Sequence, residues 1–343
     1  MKAPPGFTVR LLPFDKSFSC AVGETVLAAA LRQGLFLRYG CKNGGCGTCK
    51  ARLVDGDVED RVTSMALTPQ DRAEGWILPC TSEPVDDCSL DISAMGLTEE
   101  EFLAGDRPTL VVTELERNEL LARDIRGLRL RLLEPESIAF AAGQFVNVEI
   151  PGSTETRAYS LANPPADDRH LDLLVKVFPD GRFSGLLQDR LLLGAQLRVF
   201  GPFGQLRVRL SHRPILMIAG GTGMAPMLSM LADLAHKGNE RPIRYFFGAR
   251  TAADLLCLDQ IAAIRRAMPP LEFIPALSDS APPGWTGETG LVTEVVARHI
   301  PSAAGYDAYL CGPPPFIEAA VPLLLERGIR KRNIYFDVFL SAQ

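Results

Sequence analysis

The sequence predicts a multidomain protein of mixed α+β and α/β class, and three observations lead to that prediction. The chain has 343 residues, which is more than one domain usually holds. Short β-like runs separated by glycine and proline fill its middle third, and strands alternate with helices in its last third. We therefore expect a small N-terminal α+β domain, an antiparallel β-barrel and a C-terminal doubly wound α/β domain.

The individual elements follow from the periodicity of apolar residues. In the first domain, FTVRLLP and SFSCAV are predicted strands of a hairpin, GETVLAAALRQG is a helix that stops at Gly34, and KARLVDG is a further strand. The barrel is predicted from TLVVTELERN, IRGLRLRLLE, QFVNVEIP, HLDLLVKVF and QLRVFGPFG. In the last domain the predicted strands are PILMIAGG, IRYFFGAR, LEFIPALS and DAYLCGP, and the predicted helices lie in APMLSMLADLAHKG, near 259–267, near 290–299 and in FIEAAVPLLLERG.

A short acidic stretch supplies the first predicted domain boundary. Residues 98–106 contain four acidic residues and no basic residue, whereas the flanking blocks are balanced in charge. We interpret this stretch as a linker between domains at 1–97 and 107–210, and we place the third domain at 211–343.

Composition and charge exclude several classes of function. Hydrophobic residues make up 47% and charged residues 22% of the chain, as in ordinary globular proteins. The net charge is -5 and no basic run occurs, so we expect no nucleic-acid partner. The apolar stretch at 215–219 is too short to span a bilayer, and the N-terminus lacks a signal-peptide pattern. We expect a cytoplasmic protein without a membrane partner, in which the presence of eight cysteines indicates metal binding or catalysis rather than disulfides.

Four cysteines have the spacing of an iron–sulfur site. Three of them are separated by four and then two residues, and 30 residues lie between the third and the fourth. This is the plant-type spacing for a [2Fe–2S] cluster, whereas structural zinc, the alternative, usually shows two short cysteine pairs. The predicted ligands are Cys41, Cys46, Cys49 and Cys80.

The residues around these ligands suit a loop that wraps a compact cluster. Glycines permit unusual backbone angles and close approach, and their amides can point at sulfur. No pair of histidines has the spacing of metal ligands. The glycines are Gly44, Gly45 and Gly47, and the remaining cysteines that we interpret as buried apolar residues are Cys20, Cys88 and Cys257.

The segment RAYS has residue types that suit a flavin nucleotide. Arg157 can pair with a pyrophosphate. Tyr159 lies on the same face of a strand and can pack on a flavin ring, while Ser160 can reach a polar ring edge. Each residue also has a plain structural alternative, which is a surface salt bridge for Arg157 and a place in the barrel core for Tyr159.

A glycine-rich loop, AGGTGMAP, stands between a predicted strand and a predicted helix. Its pattern is G-x-G-x-x-P, in which Pro226 replaces the third glycine of the dinucleotide fingerprint and suits the first turn of a helix. The amides of Gly221, Thr222 and Gly223, together with the helix N-terminus, favour a pyrophosphate. The expected ligand is therefore a dinucleotide.

These motifs resemble a known family along essentially all 343 residues. YGCKNGGCGTCKARLVDGDV resembles a plant-type ferredoxin, and the RAYS and G-x-G-x-x-P segments resemble the ferredoxin–NADP reductase superfamily, in the expected order. The resemblance implies a β-grasp ferredoxin domain, an FAD-binding barrel and an NAD(H)-binding α/β domain. The cofactors that it implies are FAD, NADH and a [2Fe–2S] cluster.

Two further segments gain roles only through this resemblance. In the family, GRFS opens a helix whose N-terminal amides bind the FAD pyrophosphate, and a C-terminal acid and aromatic residue approach the flavin. The implied FAD residues are Gly181, Phe183 and Ser184, and the implied C-terminal pair is Asp337 and Phe339, with Phe336 as a competing aromatic.

The nicotinamide and adenosine ends of NADH are assigned in the same way. The turn CGP implies Cys311 beside the nicotinamide, followed by Gly312 and Pro313, although a buried core cysteine is the alternative. A 2'-phosphate needs cations. The loop after IRYFFGAR offers Arg250 but also Asp254, which favours free ribose hydroxyls. We therefore expect NADH to be preferred over NADPH.

The implied function is electron transfer from NADH through FAD to a [2Fe–2S] cluster and on to an oxygenase component. We favour the reductase of a soluble di-iron monooxygenase, of the phenol, alkane or methane hydroxylase type. The reductase of an aromatic-ring dioxygenase and a deoxysugar-biosynthesis reductase share these motifs and remain alternatives. A redox-sensing protein without turnover is the alternative from another functional class.

Overall fold

The computed structural model describes residues 6–42, 44–45, 47–62, 64, 66–105, 109–153, 155–189 and 191–339. The chain divides into two compact units, Met1–Pro108 and Thr109–Gln343. Among the described residues, no helix is long and apolar enough to cross a membrane.

The first unit is built on a mixed five-stranded sheet with a helix packed against it. Its elements are β1 (Gly6–Leu12), β2 (Lys16–Ala21), α1 (Val26–Arg32), β3 (Ala51–Asp55), β4 (Val58–Asp60), α2 (Pro69–Ala73), β5 (Trp76–Ile77), β6 (Ser82–Pro84) and β7 (Cys88–Asp91). The strand order is β2-β1-β7-β3-β5, with β1 parallel to β7, and β4 pairs with β6 separately. This is the β-grasp arrangement that the resemblance implied.

Local sequence explains why α1 begins and ends where it does. The hydroxyl of Thr25 accepts a hydrogen bond from the amide of Ala28, which satisfies an amide of the first turn. The helix ends at Arg32, and Gly34 follows with a left-handed φ of 79°. The predicted stop at Gly34 leads the chain directly into the cysteine loop.

Part of the segment predicted to be a linker is packed into the first unit. Glu101–Gly105 forms a π-helical turn, and Phe102 in it is fully buried. The Phe102 ring stacks on the ring of Phe14, with 4.7 Å between the centroids, and its carbonyl accepts a hydrogen bond from the amide of Phe36. The acidic residues therefore flank a buried aromatic ring, and the exact domain boundaries stay a prediction.

The second unit begins with an antiparallel six-stranded barrel. Its elements are β8 (Thr109–Ala122), β9 (Ile125–Glu134), β10 (Phe145–Glu149), β11 (Thr156–Ser160), β12 (His170–Lys176), α3 (Arg182–Asp189) and β13 (Gln196–Phe203). The strand order is β11-β10-β13-β8-β9-β12, and a bridge between Leu161 and Leu173 connects the two ends of that order. The predicted barrel is confirmed. In addition to the five predicted strands it contains β11, which holds the RAYS segment.

A parallel six-stranded sheet follows. Two of its inner strands, Ile215–Gly220 and Asp307–Gly312, are almost entirely buried, as expected where helices cover both faces. Its elements are β14 (Ile215–Gly220), α4 (Met224–His236), β15 (Ile243–Ala249), α5 (Leu258–Ala267), β16 (Leu271–Leu277), β17 (Glu288–Thr289), α6 (Val292–His299), β18 (Asp307–Gly312), α7 (Pro314–Glu326) and β19 (Ile334–Val338). The order β17-β16-β15-β14-β18-β19 reverses direction between β14 and β18. In doubly wound folds such a switch point is where dinucleotides bind.

Candidate functional site

The cysteine loop turns back on itself through left-handed backbone conformations. Lys42, Gly44 and Gly47 have φ values of 58°, 82° and 67°. Glycine adopts this region without strain, whereas a residue with a Cβ atom rarely does. A Cβ atom on Gly44 would also lie 3.2 Å from Cγ2 of Thr81 and 3.3 Å from Cβ of Ser64, which is tighter than most such contacts.

One serine ties this loop to the rest of the first unit. The Ser64 hydroxyl donates a hydrogen bond to the carbonyl of Gly44 and accepts one, at 3.0 Å, from the amide of Ala66. The Ser64 carbonyl in turn accepts a hydrogen bond of 3.1 Å from Arg72 of α2. These contacts come from individual side chains rather than from a regular element.

Three of the four predicted cluster ligands belong to the described part of the chain. Cys49 and Cys80 are buried in the core of the first unit, and Cys41 is partly exposed. The fourth, Cys46, lies outside the described residues. Within those residues, no group of three His, Cys, Asp or Glu side chains is arranged to hold a metal ion.

Two polar groups in the loop fit a bound cluster. The amide of Gly45 donates to Sγ of Cys41 at 3.2 Å, as expected of a loop whose amides point at sulfur. The hydroxyl oxygen of Thr48 is buried and has no hydrogen-bond partner among the described residues. Cys20 and Cys88 pack in the same core, where burial raises the pKa of each thiol to about 11.

Strand β11 carries the predicted flavin residues. Ser160 is buried, and Tyr159 is half-buried with its ring centroid 5.5 Å from that of Phe183. Burial raises the pKa of Tyr159 above its ordinary value, because desolvation disfavours the ionised phenolate. Phe183 itself is 2% exposed and belongs to the barrel core, so the ring that packs against Tyr159 is part of that core.

Two arginines from different elements converge on one carboxylate beside this strand. Arg157 of β11 donates to Glu155 at 3.1 Å, and Arg182, the first residue of α3, forms an ion pair with the same group. Desolvation opposes ionisation, but the hydrogen bond from Arg157 and the charge of Arg182 hold the pKa of Glu155 below its ordinary value. The sequence analysis missed Arg182, although it lies inside the GRFS motif.

The start of α3 is shaped by a glycine and a serine. A Cβ atom on Gly181 would lie 2.1 Å from Oγ of Ser184, so any larger residue there would displace the Ser184 hydroxyl. The Ser184 hydroxyl accepts a hydrogen bond of 3.1 Å from the amide of Phe178, which fixes the turn into the helix. The amides of the first turn of α3 thus begin beside Arg157 and Arg182, which share Glu155.

The glycine-rich loop of the last domain occupies the switch point. Gly221 has a φ of 55°, and Pro226 lies in the first turn of α4, as predicted. A Cβ atom on Gly223 would lie 2.3 Å from the carbonyl oxygen of Cys311, because β14 and β18 are neighbours. The fold therefore brings the G-x-G-x-x-P loop and the CGP turn side by side.

The three residues that the resemblance implies beside the nicotinamide and the flavin, and hence as catalytic, are Cys311, Asp337 and Phe339, and they meet at the same edge of this sheet. Cys311 of β18 is paired with Asp337 of β19 in the strand register, and the amide of Phe339 donates to the carbonyl of Gly312 at 2.8 Å. The Cys311 side chain is fully buried in the core, and burial followed by the charge of Asp337 raises the pKa of its thiol well above the ordinary value. Cys311 is thus a neutral thiol within the sheet.

The loop after β15 arranges its charges differently from what the sequence alone suggests. The Asp254 carboxylate accepts hydrogen bonds from the amide and hydroxyl of Thr251, at 2.9 and 2.8 Å, and lies 3.7 Å from Arg123 of the barrel. The acid paired with Arg250 is Asp279, which follows β16, at 3.0 Å. The sequence analysis missed Asp279 because it lies 29 residues further along the chain.

The barrel and the nucleotide-binding sheet make direct contacts within the second unit. The hydroxyl of Ser229 in α4 donates to the carbonyl of Asn163 at 2.7 Å, and both groups are buried. Arg123, at the β8–β9 turn, lies 3.4 Å from the hydroxyl of Thr251. These contacts join the barrel to the helix that follows the dinucleotide loop and to the loop after β15.

Comparisons with known proteins agree with this architecture. Three family models match successive segments: a 2Fe-2S iron-sulfur cluster binding domain at 9–85, an oxidoreductase FAD-binding domain at 112–208 and an oxidoreductase NAD-binding domain at 217–321. The chain is therefore an oxidoreductase that binds NAD, FAD and a [2Fe–2S] cluster, as the resemblance implied.

Curated relatives match the chain along nearly its whole length. The reductase component of propane 2-monooxygenase from Mycolicibacterium goodii is 37% identical, covering 96% of each chain. The reductase component DmpP of phenol 2-monooxygenase from Pseudomonas sp. (strain CF600) is 34% identical, covering 98% of this chain and 95% of its own. The crystal structure of the Amycolatopsis cytochrome P450 reductase GcoB matches with a TM-score of 0.76 at 31% identity, covering 97% of this chain and 98% of that one. The chain belongs to the family of flavin- and iron–sulfur-containing reductase components.

Proposed function

We propose that this protein is the reductase component of a multicomponent monooxygenase and passes electrons from NADH to its oxygenase partner. The observation that supports this most directly is the order of three cofactor motifs on one chain, each in the fold it needs. The chemistry belongs to the cofactors, since FAD takes two electrons from NADH as a hydride and releases them singly to the one-electron [2Fe–2S] cluster. The protein supplies the binding, the orientation and the exclusion of side reactions.

In the first unit, the proposed cluster ligands are Cys41, Cys46, Cys49 and Cys80. The Gly45 amide directed at Sγ of Cys41 supports this set, because amides stabilise the negative thiolates of such a site. The burial of Cys49 and Cys80 excludes water from part of the site. The cysteine spacing also differs from the two short cysteine pairs that are usual for structural zinc.

In the barrel, the proposed FAD residues are those of β11 and of the start of α3. Arg157 and Arg182 already share one anionic partner, so a pyrophosphate placed there would meet two guanidinium groups and the N-terminal amides of α3. Tyr159 would offer a ring and a neutral phenol to the flavin. Ser160, Gly181, Phe183 and Ser184 would shape the pocket.

In the last domain, the proposed NADH site lies at the switch point between β14 and β18. Gly221, Thr222 and Gly223 would receive the pyrophosphate, and the turn at Gly312 and Pro313 would receive the nicotinamide. Cys311, Asp337 and Phe339 line the same edge of the sheet. Since the Cys311 thiol is fully buried, its proposed part is to shape this edge rather than to exchange a proton.

The partner that we propose is the oxygenase component of a soluble di-iron monooxygenase, with the complex located in the cytoplasm. The support is the set of relatives at 34–37% identity that are named as reductase components of propane and phenol monooxygenases. The second candidate is a ring-hydroxylating dioxygenase, because the ferredoxin reductase of carbazole 1,9a-dioxygenase has a TM-score of 0.70 at 26% identity.

A direct test supplies the purified, cofactor-loaded protein and NADH to three oxygenase components: a phenol hydroxylase, a ring-hydroxylating dioxygenase and a cytochrome P450. The expected result is hydroxylated product coupled to NADH consumption with the phenol hydroxylase, and uncoupled NADH oxidation with the other two. Efficient coupling only to the dioxygenase would overturn the proposed partner. A protein that binds all three cofactors but does not reduce ferricyanide with NADH would overturn the reductase function itself.

A further inference from the structure

A buried hydrogen bond joins the barrel to α4, the helix that follows the dinucleotide loop. The hydroxyl of Ser229 donates to the backbone carbonyl of Asn163 at 2.7 Å. Ser229 is fully buried and Asn163 is 3% exposed, so bulk water does not compete for this bond. Ser229 lies roughly 9 Å beyond Gly223 along the helix axis, and Asn163 follows Ser160 of β11 by three residues. The bond therefore connects the elements that carry the proposed NADH and FAD sites.

The acceptor carbonyl is held in place by the side chain of its own residue. The side-chain nitrogen of Asn163 donates to the carbonyls of Asp167 and His170, at 2.9 and 2.8 Å. Its side-chain oxygen accepts a hydrogen bond of 2.9 Å from the amide of Asp172. Both donors and the acceptor of this side chain thus have partners within the barrel, and they fix the carbonyl that Ser229 contacts.

The short segment between β11 and Asn163 is also hydrogen-bonded to the barrel. The amide of Leu161 donates to the carbonyl of Gln144 at 3.0 Å, and the amide of Ala162 donates to the carbonyl of Asp172 at 2.8 Å. No residue between the flavin strand and Asn163 is therefore free to absorb a displacement. A shift of α4 against Asn163 would change the position of the dinucleotide loop relative to β11.

Apolar side chains pack around this bond at the boundary between the barrel and α4. Ala162 of the barrel segment belongs to one buried cluster with Met227 and Met230 of α4. Methionine repacks readily and apolar contact has no preferred direction, whereas a hydrogen bond requires a narrow range of distance and angle. The bond between Ser229 and Asn163 is therefore suited to define where α4 sits against the barrel.

We propose that Ser229 is a positioning residue for hydride transfer, and that its bond to Asn163 sets the position of the bound nicotinamide relative to the flavin ring. The inference rests on the proposed FAD and NADH sites. Hydride transfer moves a hydrogen with both electrons of its bond from the nicotinamide to the flavin, and leaves NAD+ and reduced FAD. A misplacement of about 1 Å between reacting groups can slow such a step by about 100-fold. Ser229 belongs to neither proposed cofactor site, so each cofactor should still bind without its hydroxyl.

The test compares Ser229→Ala with Thr113→Val in the full-length, cofactor-loaded protein. Thr113 is also fully buried, and its hydroxyl donates to the carbonyl of Leu197 at 3.1 Å, but this bond lies within the barrel. Ser229→Ala should lower the rate of flavin reduction at saturating NADH by about tenfold in stopped-flow absorbance, whereas Thr113→Val should leave it unchanged. Ser229→Cys has a similar size and a weaker donor, so it should give an intermediate rate, and it replaces alanine if that variant does not fold.

Two measurements that do not depend on turnover separate positioning from general damage. The Kd for FAD, from fluorescence titration of the flavin-free protein, and the Kd for NAD+, from titration of the oxidised protein, should not change in Ser229→Ala. The long-wavelength absorbance of NAD+ stacked on the reduced flavin should become weaker, because it depends on the overlap of the two rings. A lower rate with unchanged binding is the signature of a contact that acts on the reacting geometry.

Three results would overturn the positioning role. They are a wild-type rate of flavin reduction in Ser229→Ala, an equal loss of rate in Ser229→Ala and Thr113→Val, and a loss of rate that is explained by weaker binding of FAD or NAD+. Failure of the proposed function would instead appear in the wild-type protein, as the absence of flavin reduction by NADH, whatever happens at Ser229.

Discussion

The chain contains two glycine-rich loops that serve different ligands by different physical means. The described part of the cysteine loop, residues 41–42, 44–45 and 47–49, is irregular, with left-handed backbone angles and a hydrogen bond between Ser64 and Gly44. The dinucleotide loop, residues 220–223, is held between a fully buried strand and a 13-residue helix. One loop is shaped by its own residues, whereas the other is positioned by the sheet around it.

This difference determines what a substitution can do in each place. In the cysteine loop the proposed ligands are side chains, so we expect a single substitution to remove the bound group and to leave the second unit intact. In the dinucleotide loop the backbone amides are proposed to bind the pyrophosphate, so we expect a large effect only from a change that displaces the backbone. The following predictions test that contrast, in order of decreasing effect.

The largest effect is expected from removing a proposed cluster ligand. Cys49→Ser should abolish the iron–sulfur EPR signal of the reduced protein, because serine is a poor substitute for a thiolate at a site that needs four of them. Bound FAD and NADH-dependent reduction of ferricyanide should persist, since those sites lie in the other unit. A matched control is Cys88→Ala, which alters a buried cysteine of the same core and should leave the EPR signal unchanged. A full signal in Cys49→Ser would contradict the ligand set.

The second prediction concerns steric fit in the dinucleotide loop. Gly223→Ala places a Cβ atom 2.3 Å from the Cys311 carbonyl, so the loop must move, and a displacement of this order can lower kcat/KM for NADH by about 100-fold. Gly221→Ala meets no neighbouring atom within 4 Å and should cost far less, although its φ of 55° is unfavourable for alanine. Steady-state kinetics with ferricyanide separates the two variants. Equal losses would mean that backbone strain, not contact with β18, governs the loop.

The contrast also shows which parts of this protein its sequence could predict. Hydrophobic periodicity predicted the β14–α4 unit and the barrel strands, because burial of one face or of a whole strand leaves a regular pattern. Cysteine spacing predicted the kind of cluster, because four thiolates around one group constrain the loop length. Both signals are local in sequence, or nearly so.

Pairings between distant residues could not be predicted in this way. Asp279 and Arg250 are 29 residues apart, and Glu155 and Arg182 are 27 apart, so no short motif contains both partners. Phe102 lies in an acidic stretch whose composition indicates exposure, yet its ring is buried against Phe14. In each case the tertiary fold, rather than local propensity, selects the partner.

The third prediction addresses the charges at the proposed FAD pyrophosphate. Arg182→Gln should raise the Kd for FAD by about threefold to tenfold, because it removes a charge-assisted contact at a partly exposed position. Glu155→Gln should lower the Kd, since the carboxylate competes with the pyrophosphate for both arginines. Fluorescence titration of the flavin-free protein measures both effects.

A control with the same charge change tests whether that effect is local. Arg198→Gln alters an arginine of similar exposure on β13, which pairs with Glu149 at 3.5 Å, and should leave the Kd for FAD unchanged. Weaker FAD binding in Glu155→Gln would mean that Glu155 holds the arginines in place rather than competing for them. The anion position would then need a different assignment.

The smallest effect is expected at the adenosine end of NADH. The wild-type protein should prefer NADH over NADPH by at least about tenfold in kcat/KM. The structure supplies a reason in Asp279, whose pKa is held below its ordinary value by a hydrogen bond from Ser278 and by Arg250, so that it is ionised and occupies the one arginine of this loop. Asp279→Asn should release Arg250 and raise the ratio of NADPH to NADH efficiency by about threefold, as expected for one exposed charge.

Asp259→Asn removes an exposed acid from α5 in the same domain and should leave the ratio as it was. If Asp279→Asn also leaves the ratio unchanged, or if the wild-type protein prefers NADPH, the 2'-position of the ribose does not lie beside Arg250.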